Sequence, residues 1–337
     1  MGEFEIIEGI RARAEKVRHS ESISLGIGDD CCLIAPAGDE QIAVSTDAFV
    51  EGVHFRFEYF DHFEAGARAM ACALSDLAAM AAKPVGAVVS VAMPGNKSAA
   101  ADGAELARGL IETGERWGCP LIGGDLCLSP GPVVITVTVL GAVPNGRAVL
   151  RSGARPGDEI WVTGSPGDAA AVLACLEASL GNGQGDLPVP DRGLINSFKI
   201  PSPRLEQALL LAGSGGLSAM IDISDGLAAD LGHILDASGV GAHLESNKFP
   251  ISGFFGSVAA SGGLSPEHYF LYGGEDYELC LTAPPGALEG KGRLLEKKHG
   301  TPLARIGTIT GTRGELVIEQ QDGRVDKINR KGFDHFA

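Results

Sequence analysis

The sequence predicts an α/β protein of the α+β kind, built as two domains. Three observations carry this. Apolar, strand-like runs alternate with helix-period runs along both halves of the chain. The chain has 337 residues, 45% of them hydrophobic, which is long and apolar enough for two cores. A stretch rich in Pro, Gly and Arg, "PNGRAVLRSGARPGD", breaks the alternation near the middle. It places the boundary between a first domain over 1–145 and a second over 146–337.

Each element has its own sequence reason. "EIIEGIRARA" reads as a short helix, and "DCCLIA" and "QIAVSTDAF" read as strands. "HFEAGARAMACALSDLAAMAA" is a helix with Ala, Met, Cys and Leu on most faces, so much of it should be buried. "VGAVVSVAMP" is a strand, "AADGAELARGLIETGERWG" a helix and "VVITVTVLGAV" another strand. The last puts Val and Ile on one side and Thr and Leu on the other, and a strand apolar on both faces wants cover on both. Local helices can supply one cover, and the other falls to the second domain or to a second subunit. The second half restarts with the strand "DEIWVTG" and the helix "PGDAAAVLACLEASL". A Gly-rich loop, "GNGQGDLPVPDRG", follows, then the helix "SPRLEQALLLAGSG". "SAMIDISDG" is a strand running into a turn, and "LAADLGHILDAS" is a helix. "YELCLTAP" and "ARIGTITG" are strands, and "RVDKINRKGFDHFA" is a polar tail with two late aromatics.

Composition excludes several classes. The formal net charge of −16 repels phosphate backbones, so nucleic acid is not an expected partner. The seven cysteines are odd in number, contain no C-x-x-C pair and sit mostly in apolar runs, which fits buried thiols in a reducing compartment. The start, "MGEFEIIEGI", is acidic where a signal peptide is basic, and the most Ala-rich region carries Arg68, Asp76 and Lys83. The expectation is a cytoplasmic protein with no membrane partner.

Carboxylates recur at the ends of apolar strands or within a buried helix. In "LGIGDDCCLI", Asp29 and Asp30 follow Gly26 and Gly28 at the mouth of a strand. Asp47 ends "IAVSTD" beside Ser45 and Thr46, Asp76 lies in the Ala-rich helix, and Asp125 follows "LIGG". Asp222 and Asp225 flank Ser224 in "MIDISDG", and Glu275 and Asp276 follow two glycines. Each has an ordinary alternative: Asp47 as a turn cap, Ser75-Asp76 as the cap of "LAAMAA", Asp225-Gly226 as a turn pair. Together they are harder to dismiss, because carboxylates are seldom buried unless paired or metal-bound, and few cations lie nearby in sequence. Oxygen-rich sites of Asp, Ser and Thr suit hard cations, Mg²⁺ above all. Mg²⁺ in such a protein usually accompanies phosphates. No G-x-x-x-x-G-K-[ST] occurs, which excludes a P-loop. In "WVTGSPGDAAAVL", Ser165 as N-cap and Pro166 at the first helical position offer a helix N-terminus to a phosphate, with Arg151 upstream as a cation for the same anion. A plain strand-to-helix connection explains those residues equally well.

Nine segments, in order and over nearly the whole chain, carry a resemblance: "LGIGDDC", "STDAFVEGVHF", "ALSDLAAMAAKP", "LIGGD", "GRAVLRSGARPGD", "VTGSPGDAAA", "IDISDGLAADLGHI", "GGEDYELC" and "KGFDHF". The chain resembles the thiamine-monophosphate kinases, a branch of the superfamily that includes aminoimidazole ribonucleotide synthetase and selenophosphate synthetase. "GVHF", "SDLAAM" and "KGFDHF" are similar to that branch in particular. The resemblance implies a two-domain aminoimidazole ribonucleotide synthetase-like fold whose N-terminal sheets join into a barrel across a homodimer. It implies direct in-line transfer of the ATP γ-phosphoryl group to thiamine monophosphate, the last step to thiamine diphosphate, with several Mg²⁺ ions and no catalytic side chain or phosphoenzyme. By the same resemblance, Asp30, Ser45, Thr46, Asp47, Asp76, Asp125, Asp222 and Asp225 are metal ligands. Gly124, Asp125, Arg151 and Ser224 are ATP contacts, and His54, Glu275 and Phe333 are thiamine contacts. Ser45 stands where relatives often have Thr, and Arg116-Trp117 near where they carry Tyr.

Two rival readings remain. A superfamily cousin would activate an amide or a selenide with ATP, but "GVHF" and "KGFDHF" oppose it, as does the lack of a reactive N-terminal Cys beside a Lys. A non-catalytic Mg²⁺- or Ca²⁺-binding protein would need a loop such as D-x-[DN]-x-[DN]-G, which is absent.

Overall fold

The computed structural model describes residues 23–25, 29–35, 38–95, 99–181, 187–213, 215–330 and 332–333. The expected helix "EIIEGIRARA", the glycines Gly26 and Gly28, and most of "KGFDHF" lie outside them.

Strands β1 (Ile23–Leu25), β2 (Cys32–Ile34), β3 (Glu40–Val50), β4 (Lys83–Pro94), β5 (Leu121–Ser129) and β6 (Val134–Pro144) form one sheet. Its order is β1-β2-β3-β6-β4-β5, and only β4 and β5 run parallel. Helices α1 (His62–Ala79) and α2 (Ala99–Arg116) cover one face. That face carries Ala43, Phe49, Ile135, Val137 and Val139, all buried. The opposite face carries Ile42, Val44, Thr46 and Ala48 paired with Ala142, Leu140, Thr138 and Thr136, all half-buried or exposed. The two-faced strands are therefore covered once within the chain, and the sheet is open rather than closed into a barrel.

α1 begins at a capping box. Asp61 accepts the Glu64 N–H at 2.7 Å, and the Glu64 carboxylate accepts the Asp61 N–H at 2.9 Å. Its small residues let α2 approach at backbone contact. A Cβ on Gly66 would sit 2.1 Å from the Leu106 carbonyl oxygen, and one on Gly109 would sit 2.0 Å from that of Phe63.

The second sheet contains β7 (Glu159–Thr163), β8 (Ala219–Ile223), β9 (Gly241–Glu245), β10 (Glu278–Ala283), β11 (Leu303–Thr310), β12 (Leu316–Glu319) and β13 (Val325–Lys327). The order is β13-β12-β9-β11-β7-β10-β8, antiparallel except for β9 with β12. β8 and β10 are buried along their whole length. One face packs Ile160, Val162, Ile221 and Ile223 on α6 (Leu227–Ser238) and α8 (Pro266–Tyr272). The other joins the same core as the first domain, through Met220, Leu279 and Leu281 with Met70 and Leu74 of α1. α3 (Asp168–Ser179), α4 (Arg192–Lys199), α5 (Leu205–Gly213), α7 (Gly253–Ala260) and α9 (Lys291–His299) complete this half. α1 touches β3, β6, α5 and β8, so one helix spans both sheets.

Two expectations are corrected. The C-terminal stretch is not all tail, because Val325–Lys327 pairs with β12. The helix after β7 starts at Asp168 rather than at Pro166, with Gly167 as N-cap at φ 96°.

Candidate active site

Three elements converge at the junction of the sheets. β3 turns Ser45 and Asp47 toward α1, because they share the helix-covered face with Ala43 and Phe49. Asp76 sits near the C-terminal end of α1, which packs on both β3 and β8. Asp222 lies near the end of β8. Oxygens of Asp30, Asp76 and Asp222 all come within 4.8 Å of one another. The Ser45 hydroxyl donates to Asp76. Arg151 forks onto Asp30, with Nε and Nη2 at 3.0 and 2.9 Å from its two oxygens. Asp29 accepts the Asp30 N–H at 3.0 Å and the Arg151 N–H at 3.2 Å.

The charge balance is lopsided. Among the described residues, Arg151 is the cation that pairs directly with this cluster. Burial first, and then the charge of Asp30, pushes Asp222 up to about 8 and Asp47 up to about 6. Burial also drives Asp76 well above the carboxylate range, with Asp47, Asp222 and Asp30 adding to it. Asp29 rises to about 6 for the same two reasons, burial and then Asp30. Like charges in a low-dielectric site hold protons until a cation replaces them. All the donors are oxygens, so the set fits a hard divalent cation such as Mg²⁺.

The turn after β8 carries Ser224 and Asp225. It is held by a residue outside the expected set, Asp230, which is buried in the first turn of α6. One oxygen of Asp230 accepts the N–H groups of Ser224, Asp225 and Gly226, each at 3.1 Å. Its carboxyl lies well above the usual range, through burial and then Asp225 and Asp222. Its sequence signal was the spacing "DISDGLAAD", where an acid in the first turn of a helix faces the preceding turn.

Two expected thiamine contacts reach this turn. The Glu275 N–H donates to the Ser224 carbonyl at 2.7 Å. The chain end returns alongside: the Phe333 N–H lies 3.4 Å from the Asp225 carbonyl, and a Cβ on Gly332 would sit 2.5 Å from that of Ala229. Phe333 is 54% exposed, an aromatic left open to solvent rather than buried in a core. His54 follows β3, where its Nδ1 accepts the Val50 N–H at 3.0 Å and its ring meets Phe49 edge-on at 5.6 Å.

The sheet separates the rest of the expected set. The Thr46 hydroxyl lies on the open face, 2.9 Å from that of Thr138. Asp125 pairs with Ser90 on the same open face, on exposed edge strand β5. Three strand spacings, about 14 Å, separate β5 from β3. Gly124, beside it, faces the Val89 carbonyl, and Arg116 lies over the Trp117 ring at 5.3 Å. The phosphate cradle considered at Ser165 is taken. Asp276 accepts the N–H groups of Gly167 at 2.5 Å and Ala169 at 3.1 Å, so a carboxylate of the chain itself occupies that helix N-terminus.

Comparison with known proteins places this geometry. Residues 28–143 match the model of the AIR synthase related protein N-terminal domain, and residues 155–319 match that of the C-terminal domain. The chain is thus an AIR synthase related protein, two domains meeting at a carboxylate cluster. Over its full length it is 39% identical to the thiamine-monophosphate kinase of Escherichia coli (strain K12), covering 98% of that protein. It is 33% identical to the thiamine-monophosphate kinase of Bacillus subtilis (strain 168), with 100% of both covered. Among solved structures, AaThiL complexed with AMPPCP and TMP superposes with a TM-score of 0.81 at 28% identity, over 99% of this chain and 97% of that one. The chain belongs to the thiamine-monophosphate kinase family.

Proposed function

We propose that this chain transfers the γ-phosphoryl group of ATP to the phosphate of thiamine monophosphate, giving thiamine diphosphate and ADP. The observation that carries the reading is the convergence of Asp30 from the bend before β2, Asp76 from α1 and Asp222 from β8 to within 4.8 Å, in a chain whose full-length relatives are kinases of that name. ATP is the co-substrate, in line with the nucleotide analogue and TMP bound by the related AaThiL.

Asp30, Asp76 and Asp222 would hold Mg²⁺, with Ser45 and Asp47 beside them and Asp225 on the adjoining turn. Bound there, Mg²⁺ supplies the positive charge that lets two phosphate anions approach in line. The chain's own part is placement. Asp230 fixes the Ser224–Gly226 turn, and with it the backbone that carries Ser224 and Asp225 next to Asp222. Arg151 holds Asp30 in one orientation through both guanidinium contacts and stands where an ATP phosphate would meet the cluster. Glu275, His54 and Phe333 would receive the thiamine moiety. Direct transfer without a phosphoenzyme agrees with the surroundings: burial pushes the adjacent Cys31 thiol well above its ordinary value, so it offers no thiolate nucleophile.

The reading includes a homodimer joined along β5. That strand ends the sheet with Leu126 and Leu128 at 68% and 73% exposure, an apolar edge that a monomer would need to cover. Joining two such edges would also cover the open faces and bring Gly124, Asp125 and Thr46 to a shared surface. Residues 1–145 then form the N-terminal ATP- and Mg²⁺-binding and dimerisation domain, and 146–337 the second domain, which adds Asp222 and Asp225 to the metal site. Among the described residues, no helix is long and apolar enough to cross a membrane. A cytoplasmic setting suits a protein with seven free thiols, of which Cys31, Cys72, Cys119, Cys175 and Cys280 are buried.

Incubation with ATP and thiamine monophosphate, with and without Mg²⁺, tests the reading through the appearance of thiamine diphosphate.

A further inference from the structure

Among the described residues, the largest fully buried side chain is a charged one, Arg68, on α1 at 1% exposure. No acidic residue of the metal cluster pairs with it. Its Nη2 donates to the Glu275 Oε1 at 2.8 Å, and its Nη1 donates to the Phe198 carbonyl. The guanidinium lies 5.0 Å from the Phe198 ring centre, 5.6 Å from that of Phe60 and 5.9 Å from that of Tyr277. A cation walled by three aromatic rings and tied to one carboxylate has little freedom to move.

The partner segment is held as tightly. Glu275 and Tyr277 have φ values of 67° and 52°, in the left-handed region that costs L residues energy and persists only where the surroundings enforce it. Their N–H groups donate to the Ser224 and Ile223 carbonyls at 2.7 and 2.8 Å. Glu275 is thereby pinned to the end of the strand that carries Asp222, and its side chain keeps 30% exposure. One oxygen is fixed by Arg68 while the carboxylate stays within reach of a ligand.

Arg68 and Asp76 stand on the same helix, eight residues apart, which is about 12 Å along its axis at 1.5 Å per residue. One rigid element therefore holds a metal-cluster carboxylate at one point and the anchor of Glu275 at another. We propose that Arg68 is a positioning residue that sets the Glu275 carboxylate at a fixed span from the carboxylate cluster. Helix α1 thereby gauges the distance between the substrate's amino-bearing heteroaromatic ring and its phosphate. This rests on the kinase reading above. Glu275 accepts a hydrogen bond from the ring amino group, and Arg68 touches no substrate atom. Its effect falls on the acceptor substrate and not on ATP.

Steady-state kinetics on the full-length protein with ATP, Mg²⁺ and thiamine monophosphate test this, using Arg68→Lys, Arg68→Met, Glu275→Gln and the double variant Arg68→Met/Glu275→Gln. Arg68→Lys keeps a buried cation but loses the planar fork. It should raise KM for thiamine monophosphate about 10-fold while KM for ATP moves less than about 2-fold. The double variant should be no worse than about 2-fold from the weaker single variant, because both substitutions break one linkage. Arg68→Lys carries the comparison where thermal melting shows that Arg68→Met does not fold. A merely structural role predicts lower melting temperatures with both KM values unchanged or rising together, and multiplicative effects in the double variant; either result overturns the proposal. Wild-type protein assayed in parallel separates the two claims. If it makes no thiamine diphosphate, the kinase reading fails and this inference with it. If it does, and the selective KM change is absent, only the role of Arg68 fails.

Discussion

Replacing Asp222 with Asn should make the metal-free protein more stable at alkaline pH and remove its response to Mg²⁺. Burial and then the charge of Asp30 raise the Asp222 carboxyl from its ordinary 3.8 to about 8. For a carboxyl raised in this way, the folded state binds the proton more tightly than the unfolded chain. The stabilising contribution is complete below about pH 4 and is lost as pH rises through about 8. The distance from 3.8 to about 8 sets a ceiling of about 6 kcal/mol, at 1.36 kcal/mol per tenfold in proton affinity. The other carboxylates of the cluster remain after a single substitution, so it should recover about 1–3 kcal/mol. For a chain of this size that is a rise in Tm of about 1–4 °C. The assay is thermal melting at pH 8.5 in EDTA, repeated with a MgCl2 titration and again at pH 5. Wild type should gain stability with Mg²⁺, by about 2.7 kcal/mol at a hundredfold excess over Kd. Asp222→Asn should melt higher than wild type in EDTA, by a margin that shrinks at pH 5, and should gain little from Mg²⁺. A variant that melts lower than wild type in EDTA, or that keeps the full Mg²⁺ response, would refute the argument that these carboxylates form a cation site.

Asp47→Asn should abolish turnover while circular dichroism stays native; near-normal activity at saturating Mg²⁺ would count against a ligand role for Asp47. Phe333→Ala should raise KM for thiamine monophosphate by roughly 2- to 30-fold, from a lost ring contact of ~0.5–2 kcal/mol, and leave KM for ATP nearly fixed. Equal changes in both constants would make Phe333 a plain surface anchor. Leu128→Lys, a charge placed on the exposed β5 edge, should convert a dimer to a monomer in light scattering at micromolar concentration. A wild-type protein that is already monomeric would sink the shared-edge model.

What the sequence revealed and what it hid follow from the range of the forces involved. α1 was legible because "EAGARAMACALSDLAAMAA" has no polar face wide enough for solvent, so burial and helix follow from composition alone. The recurrence of acids in apolar settings without nearby cations was legible, but that Asp30, Asp76 and Asp222 in particular meet was not, since it depends on how α1 packs between the two sheets. The start of α3 was misjudged because its N–H groups are satisfied by Asp276, 109 residues from Gly167, and no local rule sees a cap that distant. The separation of Thr46 from its neighbours Ser45 and Asp47 is the period-two alternation of a strand, and knowing which face α1 covers required the tertiary structure. Asp230 and Arg68 went unrecognised for a related reason. Each is an ionisable residue in a helix whose partners lie outside that helix and are brought close only by folding. β5 was quoted as "LIGGD" but not read as a strand, since two glycines weaken the β pattern that the sheet context restores.

The most direct test of the central claim is chromatography of a reaction containing this protein, ATP, Mg²⁺ and thiamine monophosphate. The account predicts thiamine diphosphate and ADP in equal amounts, with neither formed when EDTA replaces Mg²⁺. ATP consumed without thiamine diphosphate, or thiamine monophosphate returned unchanged at saturating ATP and Mg²⁺, would contradict it.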